Sequence, residues 1–284
     1  MTRRRFIEIA GAVAAISAFR KAFVSSDNAI KVGMCDWNLG RAGRVDAFEL
    51  AAKIGLDGVE VSIHFPSPTG HLRNPDVQKQ FIEASKKHGV EIASTALGVL
   101  NSVPLKSEPK AAIWVADAIE VTRNLGTKVI LLAFFGRGEL RPENKEEMSR
   151  VIDVLKELAP RAERAGVILG LENTLSAEDN LRIVEQVGSK AVQVYYDLKN
   201  SADRGRDVPK EIRMLKGLIC QVHLKNGPRL LSEPSNVDFP KCAEALREIG
   251  YDGWYILETS SPRDIFQDTR ANIEYTRKAF GSVV

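Results

Sequence analysis

The chain has 284 residues, 44% of them hydrophobic and 27% charged, with a formal net charge of +3. This is ordinary globular composition and excludes collagen-like, low-complexity and disordered classes. Five basic residues and one acidic residue fall in the first 26 positions, so the remainder carries about −1 and has no basic excess to favour nucleic acid as a partner.

The N-terminus sets paired arginines before a large apolar residue, Thr2-Arg3-Arg4-Arg5-Phe6-Ile7, and follows them with an apolar stretch from Ile9 to Phe19. Arg20-Lys21 and the small-residue segment Val24-Ser25-Ser26 come next. This is the layout of a secretory signal, and the arginine pair points to the twin-arginine route. The apolar stretch is too short for a permanent membrane anchor. Residues 1–26 are therefore expected to be a signal peptide and 27–284 one domain, exported to the periplasm or beyond, with no stable membrane insertion after cleavage. Cys35, Cys220 and Cys242 are too few and scattered for a disulfide framework; the first two lie in strand-like runs and read as buried thiols.

Eight apolar, β-branched runs then alternate with helical patterns. They lie near Lys31–Trp37, Gly58–Ile63, Val90–Ala96, Lys128–Phe134, Val167–Glu172, Ala191–Asp197, Leu218–Leu224 and Gly253–Glu258. Parallel strands with right-handed helical crossovers give this alternation, and eight units in one domain predict a single (β/α)₈ barrel. Between Pro109 and Gly126 the spacing puts Ala112, Ile113, Ala116 and Ile119 on one helix face. Glycines at 58, 89, 126, 166 and 250 stand where helices should stop in a left-handed cap. Long loops follow the second, third and seventh strands (66–74, 98–109 and 226–238), the positions at which a barrel usually selects its substrate.

The last four runs end in side chains that bind metals: Glu172, Asp197, His223 and Glu258, spaced 25, 26 and 35 residues apart. Each spacing is about one strand-loop-helix-loop unit, so the four converge only if parallel strands bring their C-terminal ends to one face. One such carboxylate alone would read as a helix N-cap, and one strand histidine as a hydrogen-bonded core residue. Four in consecutive units point to a hard, mostly oxygen metal site suited to Mn²⁺, Mg²⁺, Co²⁺ or Zn²⁺.

The runs Gly170-Leu171-Glu172-Asn173, Tyr196-Asp197, Val222-His223-Leu224-Lys225-Asn226 and Gly250-Tyr251-Asp252-Gly253-Trp254 through Glu258 resemble the xylose isomerase-like barrel superfamily. The likeness is to its sugar isomerase and epimerase branch, covers roughly residues 30–280, and is strongest from Val237-Asp238-Phe239-Pro240 to Glu258. The resemblance implies that Glu172, Asp197, His223 and Glu258 hold the metal, and that Glu172 and Glu258 double as acid and base. It also implies that Glu178 and Arg229 touch a sugar. The alternatives for these two are a first-turn helix carboxylate and a solvated loop charge. Asn200 stands where ketose 3-epimerases have a histidine; it can hydrogen-bond a hydroxyl but cannot carry a proton. Asn226 stands where many relatives have an aspartate.

Trp37 could stack on a sugar ring or pack in the core. His64 and His71 flank the loop after the second strand and could meet the substrate. Glu60 could bind a substrate or a metal ligand, or sit in a buried ion pair. His88 reads as a helix-end residue and Trp114 as packing. The expected function is a metal-dependent sugar isomerase or epimerase that passes through an enediolate. The alternative is a lyase or dehydratase eliminating from a 3-keto-glycoside or keto-polyol, which needs the same metal and base. The substrate is expected to be a small carbohydrate, a free sugar rather than a phosphate, because export removes the protein from sugar phosphates and no Gly-rich phosphate cradle is present. Four histidines in all speak against the multi-metal abasic-site endonucleases, and retention of all four ligands against a non-catalytic sugar-binding barrel. No patch decides for or against a homo-oligomer.

Overall fold

The computed structural model describes residues 30–65 and 72–281; the N-terminal segment read as a signal, and His71, lie outside the described residues. Residues Ile30–Phe280 form one unit, and its sheet is a closed barrel in sequence order, β1 to β8, with β8 pairing back onto β1. All pairings are parallel. The strands are β1 Val32–Cys35, β2 Gly58–Ser62, β3 Glu91–Leu97, β4 Val129–Ala133, β5 Ile168–Glu172, β6 Val192–Asp197, β7 Ile219–Leu224 and β8 Tyr255–Leu257. The helices are α1 Ala47–Ile54, α2 Pro75–His88, α3 Pro109–Asn124, α4 Lys145–Ala165, α5 Ala177–Val187, α6 Leu198–Asp203, α7 Val208–Leu215, α8 Phe239–Glu248 and α9 Ile265–Phe280. Each predicted run contains its strand except the third, whose strand runs one residue further to Leu97. Ends move by one or two residues, so Trp37 and Glu258 stand just beyond β1 and β8, and β7 continues one residue past His223.

Alternation along each strand divides the residues between two environments. Ile130 and Leu132 of β4, Val192 and Val194 of β6, and Tyr255 and Leu257 of β8 join the main core between barrel and helices. Val129, Leu131 and Ala133, with Tyr195, and Cys35 with Ala93 and Ile256, form separate small clusters on the other face, inside the barrel. The interior is filled rather than open, and glycine makes room where a large neighbour arrives. A Cβ on Gly58 would lie 2.6 Å from the Trp254 ring. Gly58 is thus a packing residue at the start of β2. The helix stop expected there falls to Gly55, the left-handed C-cap of α1. Gly89 and Gly166 cap α2 and α4 as expected, and Gly126 and Gly250 take positive φ just after their helices.

One helix face differs from the expectation. Ile113 of α3 is 60% exposed, and the buried face runs through Ala111, Val115, Ala118, Ile119 and Thr122. That stripe repeats at four, three, one and three residues, so the helix is turned by about one position from the face read off the sequence. Trp114 does pack, its ring stacked on Phe65 at 5.6 Å. Among the described residues no helix is long and apolar enough to cross a membrane.

Candidate metal centre

Parallel strands point their C-terminal ends to one face of a barrel, and there the structure gathers the four predicted ligands. Ligand atoms of Glu172, Asp197, His223 and Glu258 all lie within 4.8 Å of one another. His223 Nδ1 is 2.9 Å from Glu172 Oε1, 3.6 Å from Glu258 Oε2 and 3.9 Å from Asp197 Oδ2. Asp197 is also the N-cap of α6, its Oδ1 accepting from the Asn200 amide at 2.8 Å. Of the two readings of a strand-end carboxylate, the N-cap is thus realised through Oδ1, while Oδ2 faces the cluster.

The sequence reading named no role for Lys225, two residues after His223 and one beyond the end of β7, where the strand's alternation continued would carry it to the same side. Its Nζ lies 2.7 Å from Glu258 Oε2 and 2.9 Å from Asp197 Oδ2. Its side chain is only 23% exposed. The Val222-His223-Leu224-Lys225 alternation was the available signal. Asp197 Oδ2, although close to that ammonium, is buried and receives no hydrogen bond.

The electrostatics follow from crowding acids in a dry place. Burial lifts Glu172 to about 7, against the pull of His223. Burial likewise raises Asp197, with Lys225 opposing. Burial works against charge on Glu258 too, but His223, Lys225 and a hydrogen bond from Trp37 hold its carboxyl below the ordinary range. Lys225 is raised despite burial by Asp197 and Glu258, and His223 is raised despite burial by the acidic groups around it, Glu172 among them. Three carboxylates and an imidazole at this separation, one carboxylate oxygen buried without a hydrogen bond, fit a hard divalent cation.

Below this layer His223 Nε2 faces Glu60 Oε1 at 3.1 Å and the Cys35 thiol at 3.5 Å. Glu60 is fully buried against His223, a contact that fits both roles the sequence left open for it, touching a candidate ligand residue and sitting in a buried ion pair. Cys35 is buried, and burial raises its thiol well above the ordinary value. Cys220 is half-buried, its thiol against the Val194 carbonyl.

The predicted sugar-binding residues divide into two groups. Trp37 stands at the cluster, its ring edge-on to His223 at 6.3 Å. Asn200 adjoins it through the Asp197 cap, and its Nδ2 is buried without a partner. Arg229 is exposed and donates to the Pro234 carbonyl, on a cleft of about 520 Å³ that Lys199, Asn226 and Gly227 also line. Glu178 is exposed in the first turn of α5, where the helix N-terminus favours a carboxylate. His64 is exposed beyond β2, its ring against Gly43. No hydrogen bond or ion pair among the described residues joins Arg229, Glu178 or His64 to the four-residue cluster.

The sequence model of the xylose isomerase-like TIM barrel family matches residues 48–279. The chain is 28% identical over 202 residues to 2-epi-5-epi-valiolone 7-phosphate 2-epimerase of Actinoplanes sp., covering 70% of this chain and 73% of that one. It is 28% identical over 254 residues to L-ribulose-5-phosphate 3-epimerase UlaE of Escherichia coli, covering 82% and 87%. Among solved structures, D-psicose 3-epimerase from Clostridium cellulolyticum H10 superposes with a TM-score of 0.75 at 17% identity, over 89% of this chain and 100% of that one. With the barrel closed and the family's sequence model spanning most of it, the chain belongs to the xylose isomerase-like TIM barrel family.

Proposed function

We infer that this isomerase is a divalent-metal-dependent carbohydrate epimerase, which removes and returns a proton on a carbon beside a carbonyl through an enediolate. The observation that carries the reading is the convergence of Glu172, Asp197, His223 and Glu258 on the C-terminal face of the barrel. Relatives named as 2- and 3-epimerases support the reaction type; elimination gains no support from them.

Glu172, Asp197, His223 and Glu258 would hold one ion, Mn²⁺ ahead of Mg²⁺, Co²⁺ or Zn²⁺. Such an ion supplies Lewis acidity toward adjacent carbonyl and hydroxyl oxygens. Glu172 and Glu258 come from β5 and the end of β8, with β6 and β7 between them. That separation lets one take a proton from one face of the reacting carbon while the other returns it on the opposite face. Lys225 and Trp37 keep Glu258 charged and oriented. Asn200, with its unpartnered amide, supplies a donor for a substrate hydroxyl, and Trp37 an apolar wall for the sugar ring. Arg229, Glu178 and His64 would serve the substrate from the loops above. Residues 1–26 would direct export by the twin-arginine route, which favours a free sugar or keto-glucoside, whereas the relatives' names carry phosphates.

Proton NMR in D₂O tests the reading. The Mn²⁺-treated protein is incubated with free ketoses, ketose phosphates and 3-keto-glucosides, with a chelated control, and the sugars are observed after the metal is removed. Metal-dependent deuterium incorporation with a new epimer is the expected result. Release of an aglycone or water with an unsaturated ketone would replace the epimerase reading with a lyase.

A further inference from the structure

We propose that Glu60 is a positioning residue for the histidine at the metal centre, fixing which nitrogen of His223 faces the three carboxylates. The inference rests on the metal reading above.

The argument begins with the cost of Glu60. A fully buried carboxylate is stable only where donors surround it. Glu60 Oε2 lies 2.6 Å from Ser94 Oγ and 2.7 Å from Tyr195 OH. Each hydroxyl has a single proton. Both also accept from the Gln221 side-chain amide, Ser94 at 2.7 Å and Tyr195 at 2.9 Å, so neither is turned to donate to Gln221 and both protons point to Glu60. Its other oxygen faces His223 Nε2 at 3.1 Å and the Cys35 thiol at 3.6 Å. A carboxylate only accepts, so the nitrogen facing it carries hydrogen. Nδ1 also faces a carboxylate, Glu172 at 2.9 Å, so without metal both nitrogens have an acceptor. A cation held among Glu172, Asp197 and Glu258 would take the Nδ1 lone pair, and the one N–H of the then neutral ring would sit on Nε2 toward Glu60. That is the state a metal ligand needs, and a carboxylate behind the ring is the usual means of securing it.

The backbone supplies a second, independent observation. The barrel's register shifts at two places among the described residues, between Val59 and Glu60 in the β2–β3 pairing and between Val194 and Tyr195 in β6–β7. The first skips Ala93 and sets Glu60 opposite Ser94; the second skips Cys220 and sets Tyr195 opposite Gln221. All four members of the network are thus paired by the two irregularities. Bulges of this kind re-aim side chains next to active sites. Without them Glu60 would face Ala93, and Tyr195 would face Cys220.

The test is Mn²⁺ affinity of the full-length protein after chelation and reloading, measured for wild type and Glu60→Gln, with the melting temperature of the metal-free forms alongside. Loss of the carboxylate should weaken Mn²⁺ binding by about 10–100-fold, beyond any change in melting temperature. ¹⁵N-histidine NMR of the Zn²⁺-loaded wild type should show His223 protonated at Nε2. Should Glu60→Gln not fold, Tyr195→Phe keeps the carboxylate but loosens it, and should weaken Mn²⁺ several-fold. Unchanged affinity with a lowered melting temperature would make Glu60 merely structural, and a Zn²⁺-loaded His223 protonated at Nδ1 would overturn the assignment outright. A wild type that takes up no metal at all would instead remove the metal reading, and this inference with it.

Discussion

Lys225 gives the sharpest quantitative handle on the site, because its ammonium touches two of the four candidate ligand residues. Replacement by Met keeps most of the volume and removes the charge. At ~3 Å and an effective dielectric of ~20, each carboxylate gains roughly 5 kcal/mol of attraction before desolvation is counted. Removing one partner of a buried pair typically costs ~3–5 kcal/mol net. Lys225 and Glu258 are each 23% exposed while Asp197 is buried, so screening reduces the expected loss to about 2–3 kcal/mol in the metal-free protein. For a chain of this size that is a fall of roughly 5–8 °C in melting temperature. The sign should reverse for metal. Lys225 and a divalent ion compete for the same oxygens, so Lys225→Met should bind Mn²⁺ more tightly, by about tenfold, for ~1.4 kcal/mol of relieved repulsion. The assays are urea denaturation in EDTA and Mn²⁺ titration of the stripped protein. A variant as stable as wild type in EDTA, or one that binds Mn²⁺ more weakly, would refute the charge balance drawn here.

Three other outcomes follow from the same geometry. Glu258→Gln should lose about 10²–10⁴-fold in substrate deuterium exchange while retaining part of its metal, and unchanged exchange would remove Glu258 from acid–base work. Arg3→Lys with Arg4→Lys should leave the precursor in the cytoplasm, as seen by fractionation; normal export would sink the twin-arginine reading. Burial raises Asp36 from 3.8 to about 6, against hydrogen bonds from Ser62 and Gly43. Its contribution is therefore present below pH ~4 and lost as pH rises through about 6. The stability of wild type relative to Asp36→Asn should fall by ~3 kcal/mol across that window, and a flat difference would show that the hydrogen bonds offset the burial.

The barrel and its four-residue cluster were legible because both follow from local pattern: strand length, the spacing of crossovers, and a ligand type at each strand end. What escaped depended on neighbours distant in sequence. Lys225 is informative only once Asp197 and Glu258 are known to flank it. Gln221, Ser94 and Tyr195 are unremarkable strand residues until two register shifts set them around Glu60. In α3 the helix buries Ala111, Trp114, Val115, Ala118 and Ile119, an apolar stripe richer than the four positions read from the sequence, and leaves Ile113 exposed. Among the described residues no hydrogen bond or ion pair ties Arg229 or Glu178 to the cluster, so their roles rest on resemblance alone.

Metal stoichiometry is the most direct test of the central claim. The full-length protein is stripped with chelator, reloaded with Mn²⁺, freed of excess ion and analysed for bound metal, beside His223→Ala. The account predicts about one ion per chain in wild type and a substantial loss in the variant, whose missing imidazole removes one of four donors. A wild type that retains no ion, or a His223→Ala protein that loads fully, would contradict it.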